Sequence, residues 1–323
     1  MIILTGGAGF IGSCFLRKLN DEGYTDILVV DHLGEQDKWK NLNAKEFTRF
    51  EHKEVFRKKL AEGKYNPETI DYIVHLGACS KTTERNADYI MDNNLNYSIE
   101  LAKFAIQNNI PFMYASSAAT YGDGKCGYSD MNFNYLEPLN VYGLTKHRFD
   151  KWLIANDYVD KVVGLKFFNV FGPNEYHKES MTSMIYKAFF QIVNTGKVQL
   201  FRSNTPEYKD GEQKRDFIYV KDVVTVMMSI FKRQDSFSGI YNLGTGRART
   251  WNDLASATFH ALEIEPTIEY IDMPKTLSKQ YQNFTQADMT KLCDAGISHQ
   301  FMTLEESVTD YVRNYLNKDL KIF

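Results

Sequence analysis

The 323-residue sequence has no apolar run approaching the roughly 20 residues that a membrane-spanning helix requires. Its four cysteines form no C-x-x-C pair, which disfavours a disulfide framework and a metal site; they are Cys14, Cys79, Cys126 and Cys293. The formal net charge of -3 gives no electrostatic reason to expect nucleic acid. The first residues, MIILTGGAGFIG, lack the basic region and cleavage site of a signal peptide. We therefore expect a reduced, cytoplasmic protein with no metal and no nucleic-acid or membrane partner.

Short apolar runs alternate with longer helical segments in the first half of the chain. After the initial MIILT, these runs are DILVVD (26–31), DYIVHLG (71–77), PFMYASS (111–117) and KVVGLKFFN (161–169). Runs this apolar fit strands buried on both faces, and the intervening helices are the crossovers that a parallel sheet needs. The pattern predicts an α/β fold with a Rossmann-type, doubly wound parallel sheet over about residues 1–170.

The alternation of short apolar runs and helical segments changes after Phe171. Helices are predicted near 181–195, 251–262 and 303–317, with a polar loop from Arg202 to Lys214. RDFIYV reads as a strand leading into a helix capped by Asp222. Since no linker separates the two halves, we predict a smaller, interleaved α/β substrate-binding domain. The dinucleotide-binding domain then comprises residues 1–170 plus about 215–240, and the substrate domain about 171–214 plus 241–323.

A glycine-rich turn follows the first predicted strand. TGGAGFIG supplies Gly6, Gly9 and Gly12 between a strand and a helix, where glycines permit close approach to a pyrophosphate. Asp31 ends the next strand and is suited to accept hydrogen bonds from the adenosine ribose, which favours NAD. Lys38 and Lys53 follow near the same edge and could neutralise the 2′-phosphate of NADP, or be ordinary surface lysines. The residues predict a nicotinamide dinucleotide site and leave the choice between NAD and NADP open.

Three further residues suggest proton transfer. NVYGLTK places Tyr142 and Lys146 four residues apart, on one face of a helix. A nearby ammonium and an oxidised nicotinamide ring both favour phenolate, bringing the tyrosine pKa down from about 10. Ser117 ends an earlier strand at the carboxyl edge of the sheet, where its hydroxyl can reach the same substrate oxygen. The alternative is an exposed Tyr and Lys on a helix, since Y-x-x-x-K is common by chance.

Together these residues resemble the extended short-chain dehydrogenase/reductase family, whose fingerprint is G-x-x-G-x-x-G with a Ser/Thr, Tyr and Lys triad. RDFIYVKDV and YNLGTGR are similar to its sugar-nucleotide branch. GACSKTTE, ASSAATYG, FFNVFGPNEYHKES and YQNFTQAD narrow the resemblance to the ADP-heptose 6-epimerases of that branch. The resemblance implies epimerisation at C6″ of an ADP-linked heptose with NADP (NAD possible), for the lipopolysaccharide inner core. It also implies a homo-oligomer, a pentamer by family likeness.

Lys178, in the HKES segment, is the most informative residue of this resemblance. Inverting a secondary alcohol by oxidation and re-reduction requires the carbonyl to present its other face if the nicotinamide stays fixed. Its oxygen then points elsewhere, beyond the hydrogen-bond reach of a single tyrosine. The resemblance implies that Lys178 is the second base beside Tyr142, with Lys146 and Ser117 completing the catalytic set. On its own the segment would be interpreted as a solvated loop.

The resemblance also implies binding residues. Besides the glycines and Asp31, the cofactor contacts would be Phe10, Ile11, Lys38, Lys53, Gly77, Ala78, Cys79, Ser80, Asn93, Lys146, Val170 and Lys178. The ADP-sugar contacts would be Asn169, Ser180, Phe201, Ser203, Arg215 and Tyr281, with Arg215 holding the phosphates. The chain departs from the family at Leu76, Glu179 and Lys187, and its 202–214 loop is longer. Two alternatives stay open: an epimerase acting at C4 of a UDP-sugar, and a non-catalytic dinucleotide sensor. A dehydratase is disfavoured because Ser117 is followed by two alanines.

Overall fold

The computed structural model describes residues 1–81, 84–233, 236–278 and 281–323. Its strands are β1 (Ile2–Thr5), β2 (Ile27–Asp31), β3 (Arg49–His52), β4 (Tyr72–His75), β5 (Phe112–Ser117), β6 (Val163–Phe167), β7 (Asn169–Phe171), β8 (Val198–Phe201), β9 (Lys214–Tyr219), β10 (Gly239–Leu243), β11 (Ala248–Thr250) and β12 (Ile268–Ile271). Its helices are α1 (Phe10–Asp21), α2 (Lys53–Ala61), α3 (Ala87–Ile90), α4 (Tyr97–Gln107), α5 (Val141–Ala155), α6 (Met184–Thr195), α7 (Val220–Phe231), α8 (Trp251–Ala261), α9 (Lys275–Ser278), α10 (Thr290–Asp294) and α11 (Leu304–Tyr311).

The main sheet has seven parallel strands in the order β10-β6-β5-β4-β1-β2-β3. The chain builds outward from β1 in one direction through β2 and β3, and then in the other direction from β4. The order therefore reverses between β1 and β4, which is the point where a doubly wound sheet opens a ligand crevice at its carboxyl edge. This topology confirms the predicted Rossmann-type fold.

Alternating strand residues build two separate cores. On β1, Ile2 and Leu4 pack into one apolar cluster with α1 and α7, whereas Ile3 packs into another with α2, α4 and α5. Successive side chains on a strand point to opposite faces, so both faces of β1 are buried. This double burial explains why the strands read as continuous apolar runs rather than as alternating ones.

Two small sheets lie outside the main one. One has the order β11-β9-β7 and the other pairs β12 with β8. The strand β9 thus belongs to the small sheet, although residues 215–240 were assigned to the dinucleotide-binding domain. The seven-stranded sheet also includes β10 through Leu243, so the predicted boundary near residue 240 divides a strand. The two units are interleaved by these strands, and their division into domains stays a prediction.

The expectation that Asp222 caps a helix is wrong. Helix α7 begins at Val220, its N-cap is Tyr219, and no side chain caps it. The Asp222 carboxylate instead accepts hydrogen bonds from His299 Nε2 (2.8 Å) and the Met302 amide (3.1 Å). It lies in the first turn, where a negative charge still favours the helix dipole, but its partners come from about 80 residues away.

Within the described ranges, no helix combines the length and the apolar character needed to span a bilayer.

Candidate active site

The glycine-rich turn joins β1 to α1 at the centre of the carboxyl edge. Gly6 has φ +70°, and a Cβ there would lie 2.6 Å from the Gly77 amide nitrogen. A Cβ on Gly12 would lie 2.0 Å from the Gly6 carbonyl oxygen. Both positions therefore require glycine, one for its backbone conformation and both for space. The N-cap, Gly9, offers no side-chain cap to α1, so the first amides of the helix remain for an anionic ligand.

Asp31 orders the same turn from the end of β2. Its carboxylate accepts hydrogen bonds from the Ala8 amide (2.8 Å) and the His32 amide (2.7 Å). The Lys38 ammonium lies 2.5 Å from Oδ1, the carboxylate oxygen that also accepts from the His32 amide. Since Asp31 is buried, this partner largely neutralises a charge that would otherwise repel a nearby phosphate.

A cleft of about 1180 Å³ opens along this edge. Most of the predicted cofactor residues line it: Gly6, Gly9, Phe10, Ile11, Gly12, Asp31, Lys38, Gly77, Ala78, Cys79, Ser80, Lys146, Val170 and Lys178. Lys53 and Asn93 lie in an adjoining cavity of about 140 Å³, where the Lys53 ammonium donates to Asn93 Oδ1 at 2.5 Å. The fold thus collects residues that are distant in sequence around two adjoining cavities, while their roles in binding stay predictions.

The predicted triad lies on two elements that meet at this cleft. Ser117 ends β5, and Tyr142 and Lys146 lie one turn apart on α5; all three line the cleft. Helix α5 begins where it does because the Asn140 side chain accepts a hydrogen bond from the Gly143 amide (2.8 Å). A Cβ on Gly143 would lie 2.7 Å from the Ala119 carbonyl oxygen, so this glycine lets α5 pack closely against the turn after β5.

Burial changes the pKa values of the triad in both directions. It raises the pKa of Tyr142, and a hydrogen bond with the Ser117 side chain opposes that rise. Burial lowers the pKa of Lys146 to about 8, opposed by the charge of Asp150. The ligand-free site therefore does not itself supply the lowered tyrosine pKa that we expected. A lowered tyrosine pKa therefore requires positive charge beside the phenol, from the Lys146 ammonium together with an oxidised nicotinamide.

Lys178 lies in the short helical turn Tyr176–Met181 and lines the same cleft. Its ammonium is 5.2 Å from the centroid of the Phe10 ring, the first residue of α1. Burial lowers the pKa of Lys178, and the buried carboxylate of Glu175 opposes this. The side chain is half-buried and borders the cleft, where a base could reach a substrate.

Two residues that support the Tyr176–Met181 segment were not found from the sequence. The Glu175 carboxylate accepts from the Ser183 amide (2.5 Å), the Ser183 hydroxyl (2.6 Å) and the Tyr311 hydroxyl (3.0 Å), and burial raises its pKa. The Asn41 amide donates to the carbonyls of Ala8 and Asn174, both at 3.0 Å. Asn41 thereby ties the glycine-rich turn to the Lys178 segment. No local pattern marks either residue, since their partners lie up to 136 residues away.

Glu179 explains one departure from the family. It has φ +50° and ψ -120°, a conformation that glycine adopts without strain. Its carboxylate accepts a hydrogen bond from Gln36 Nε2 (2.7 Å), which joins the two sides of the cleft. At a second departure, the Lys187 ammonium donates to the Ser180 carbonyl (2.7 Å). At the third, Leu76 lines the cleft.

The structure does not bring the predicted ADP-sugar residues into the lining of this cleft, within its described ranges. Among the residues that the structure describes, none of Asn169, Ser180, Phe201, Ser203, Arg215 and Tyr281 lines it, although neighbours of Asn169 and Ser180 do. Ser203 uses its hydroxyl within its own loop, donating to the Thr205 carbonyl (2.7 Å).

Arg215 is the charged residue of that group. Its guanidinium lies between the rings of Tyr281 (5.0 Å) and Trp251 (5.6 Å), and burial lowers its pKa. No carboxylate pairs with Arg215 in the described part of the chain. A buried guanidinium without an anion fits a binding site for a phosphate.

The sequence profile of one family, described as the NAD dependent epimerase/dehydratase family, matches residues 2–244. The chain belongs to this family. It is 51% identical to the ADP-L-glycero-D-manno-heptose-6-epimerase of Nitratidesulfovibrio vulgaris (strain DP4), over 98% of each chain. It is 46% identical to the protein of that name from Fusobacterium nucleatum, over 99% of each chain. The crystal structure of the Helicobacter pylori protein of that name has a TM-score of 0.81 at 28% identity and covers 97% of this chain and 95% of its own.

Membership of the family confirms three predictions. The chain is an enzyme of the epimerase type, it uses a nicotinamide dinucleotide, and its substrate is a small sugar nucleotide. The resemblance to ADP-heptose 6-epimerases is confirmed by both relatives over nearly the full length.

Proposed function

We propose that this protein interconverts the D-glycero and L-glycero epimers of ADP-manno-heptose at C6″, through transient oxidation to a ketone, and so supplies heptose for the lipopolysaccharide inner core. The observation that carries the proposal is that Tyr142 and Lys178 line one cleft from different segments, helix α5 and the Tyr176–Met181 turn. Relatives at 46–51% identity with the corresponding name support the choice of substrate.

Each base serves one configuration of C6″. Tyr142 takes the hydroxyl proton of one epimer and returns it, assisted by Ser117, while Lys178 does so for the other. Lys146, one turn from Tyr142, stabilises the phenolate as a cation. The lowered pKa of Lys178 makes its neutral, proton-accepting form accessible closer to neutral pH. With two proton donors on separate segments, the ketone can present either face while its oxygen still meets one of them.

The cleft fits a dinucleotide because a Cβ at Gly6 or Gly12 would collide with backbone atoms, as a cradle for pyrophosphate requires. Gly6, Gly9, Gly12, Phe10 and Ile11 would hold it. When bound there, a nicotinamide dinucleotide would supply reversible hydride transfer at C6″.

We further propose that the cofactor is NADP. Lys38 already neutralises Asp31, and Lys53 lies in the adjoining cavity beside them, so a 2′-phosphate would meet cations. The measurement is the ratio of NADP to NAD released on denaturation. A preparation that releases NAD alone would contradict this choice.

For the substrate, Arg215 would pair with the ADP phosphates. Its guanidinium lies against the rings of Trp251 and Tyr281. Asn169, Ser180, Phe201 and Ser203 remain predicted contacts of the same substrate. The homo-oligomeric assembly, a pentamer by likeness, remains a prediction from the family. The cytoplasmic location remains a prediction from the composition of the sequence.

The decisive experiment incubates the purified protein with ADP-D-glycero-D-manno-heptose, without added cofactor, and follows C6″ by NMR. We expect the L-glycero epimer to accumulate to equilibrium. Turnover of UDP-sugars at C4 instead would favour the alternative epimerase. Bound cofactor with no turnover of any sugar nucleotide would favour the dinucleotide sensor.

The two-base mechanism is tested by Lys178→Met and Tyr142→Phe, assayed separately. Each should lower epimerisation by about 100-fold or more, the usual contribution of a general acid or base. Each should nevertheless retain hydride transfer from the epimer that the remaining base serves. Lys178→Met turning over at the wild-type rate would end the two-base mechanism while leaving the substrate assignment intact.

A further inference from the structure

A buried ion pair lies directly beneath the triad. The Lys166 ammonium, on β6, is 2.6 Å from the Asp150 carboxylate, on α5, and both side chains are fully buried. Asp150 also accepts from the hydroxyls of Tyr114 (2.8 Å) and Ser116 (2.9 Å) on β5. Burying two charges costs free energy that apolar residues of similar size would not, so packing alone does not explain the pair.

The pair connects the two elements that carry the catalytic groups. Along β5, Tyr114 and Ser116 are buried and bond to α5, whereas Ala115 and Ser117 alternate with them and line the cleft. Asp150 is one helical turn beyond Lys146 and two beyond Tyr142, on the same face of α5. The hydrogen bonds of Asp150 to β5 therefore fix the position of α5 along that strand, and with it the position of Tyr142 relative to Ser117.

A second set of bonds runs to Ser117 itself. The Lys166 ammonium also donates to the Thr120 hydroxyl (2.8 Å), and that hydroxyl donates to the Ser117 carbonyl (2.8 Å). The cation thus spans from Asp150 to the backbone of the catalytic serine. Gly164 makes the arrangement possible, because a Cβ there would lie 2.5 Å from the Tyr114 ring atoms.

We propose that Asp150 and Lys166 are positioning residues of the reaction, which hold Ser117 on β5 in register with Tyr142 and Lys146 on α5. Neither touches the cleft, so they act through the triad. The inference rests on the proposed roles of Tyr142 and Lys146.

The pair also has an electrostatic consequence. The titratable groups that interact with the Lys146 ammonium are Asp150, one turn further along α5, and His75 on β4. Burial lowers the pKa of His75 to about 3, so His75 is neutral, and Asp150 is the anion that opposes the lowered pKa of Lys146. Removing Asp150 therefore lowers the pKa of Lys146 further, so the Lys146 ammonium loses its proton at a lower pH.

The test compares Asp150→Asn with the double variant Asp150→Leu/Lys166→Met, both as purified holoenzyme. Asp150→Asn leaves Lys166 buried without a counter-ion and should lower Tm. The double variant removes both charges and should regain the wild-type Tm or exceed it. We expect the double variant to keep its KM but lose about 100-fold in kcat, the scale that a 1 Å misplacement of a catalytic group produces. The alkaline limb of its pH profile should lie at lower pH.

A double variant with wild-type Tm, kcat and pH profile would overturn the proposal, because the pair would then be structural only. If the double variant does not fold, Ser116→Ala replaces it. This variant keeps both charges and should lower kcat by about fivefold, the scale of one hydrogen bond, with the alkaline limb unmoved. A folded Ser116→Ala with wild-type kcat would equally contradict the positioning role.

A substrate-free readout separates this proposal from the proposed function. Titration of tyrosinate absorbance in the cofactor-bound protein, with Tyr142→Phe as blank, should show Tyr142 ionising at higher pH in the double variant, because Lys146 loses its cation earlier. If Tyr142 ionises at the same pH in the double variant and in the wild-type protein, the proposed role of Asp150 and Lys166 is contradicted. Lack of epimerisation by the wild-type protein would count against the proposed substrate alone.

Discussion

Replacing Lys146 by methionine should make the protein more stable while abolishing turnover. Lys146 is 2% exposed, and burial lowers its pKa from 10.5 to about 8. Each unit of pKa difference between the folded and unfolded chain corresponds to about 1.4 kcal/mol. Burying the Lys146 ammonium at pH 7 therefore lowers the free energy of unfolding by about 3 kcal/mol. Lys146→Met removes this cost and keeps most of the side-chain volume.

The sign of the pH dependence follows from the direction of the shift. Because the folded pKa lies below the unfolded one, the unfolded chain binds more protons between pH 8 and 10.5, and the cost disappears as pH rises through that window. The stability difference between variant and wild type should be about 3 kcal/mol at pH 7 and less than about 1 kcal/mol at pH 10.

Urea unfolding of both proteins at the two pH values measures this difference. Lys151→Met is the matched control, since Lys151 is exposed on the same helix, and it should change stability by less than about 0.5 kcal/mol. A variant no more stable than wild type at pH 7, or a difference that grows with pH, would refute the reasoning.

Three further predictions concern the rest of the site. Gly12→Ala places a methyl group 2.0 Å from the Gly6 carbonyl oxygen, so the turn must move by about 1 Å. We expect this variant to lose its bound cofactor during purification, which the absorbance spectrum of the purified protein would show. Glu179→Gly relieves the strain at φ +50° and should raise the free energy of unfolding by about 1 kcal/mol in urea titrations, despite losing the bond to Gln36. Arg215→Lys keeps the charge but loses the planar fork, so the KM for the sugar nucleotide should rise about tenfold or more with kcat nearly unchanged; a lowered kcat at constant KM would contradict a binding role.

Local patterns were sufficient for the parts of the site that depend on neighbours in sequence. Glycines between a strand and a helix predicted the turn at Gly6 and Gly12, and the four-residue spacing of Tyr142 and Lys146 predicted one helical face. Parallel strands end at a common edge, so Ser117 and Asp31 could be assigned to the same crevice. The family resemblance added Lys178, which the structure places in that cleft.

The prediction that went wrong, and the strand pairing that the sequence left open, both concern partners distant in sequence. Asp222 has the position of a helix cap, yet its carboxylate pairs with residues near 300. The β9 segment reads as a strand, but its hydrogen bonds run to β7 and β11 and not to the main sheet. A strand pattern states that a segment is extended and which face is apolar; it does not state which strand lies beside it.

The sequence by itself determined the doubly wound architecture, the dinucleotide turn and the spacing of the triad, because each depends on periodicity or on residues within one or two helical turns. Only the tertiary structure decided how the walls of the cleft are supported. Glu175 against Tyr311, Asn41 against Ala8, and Asp150 against Lys166 join segments 16 to 136 residues apart. Their free energy comes from burial and pairing of polar groups, and such contacts leave no periodic trace in the chain.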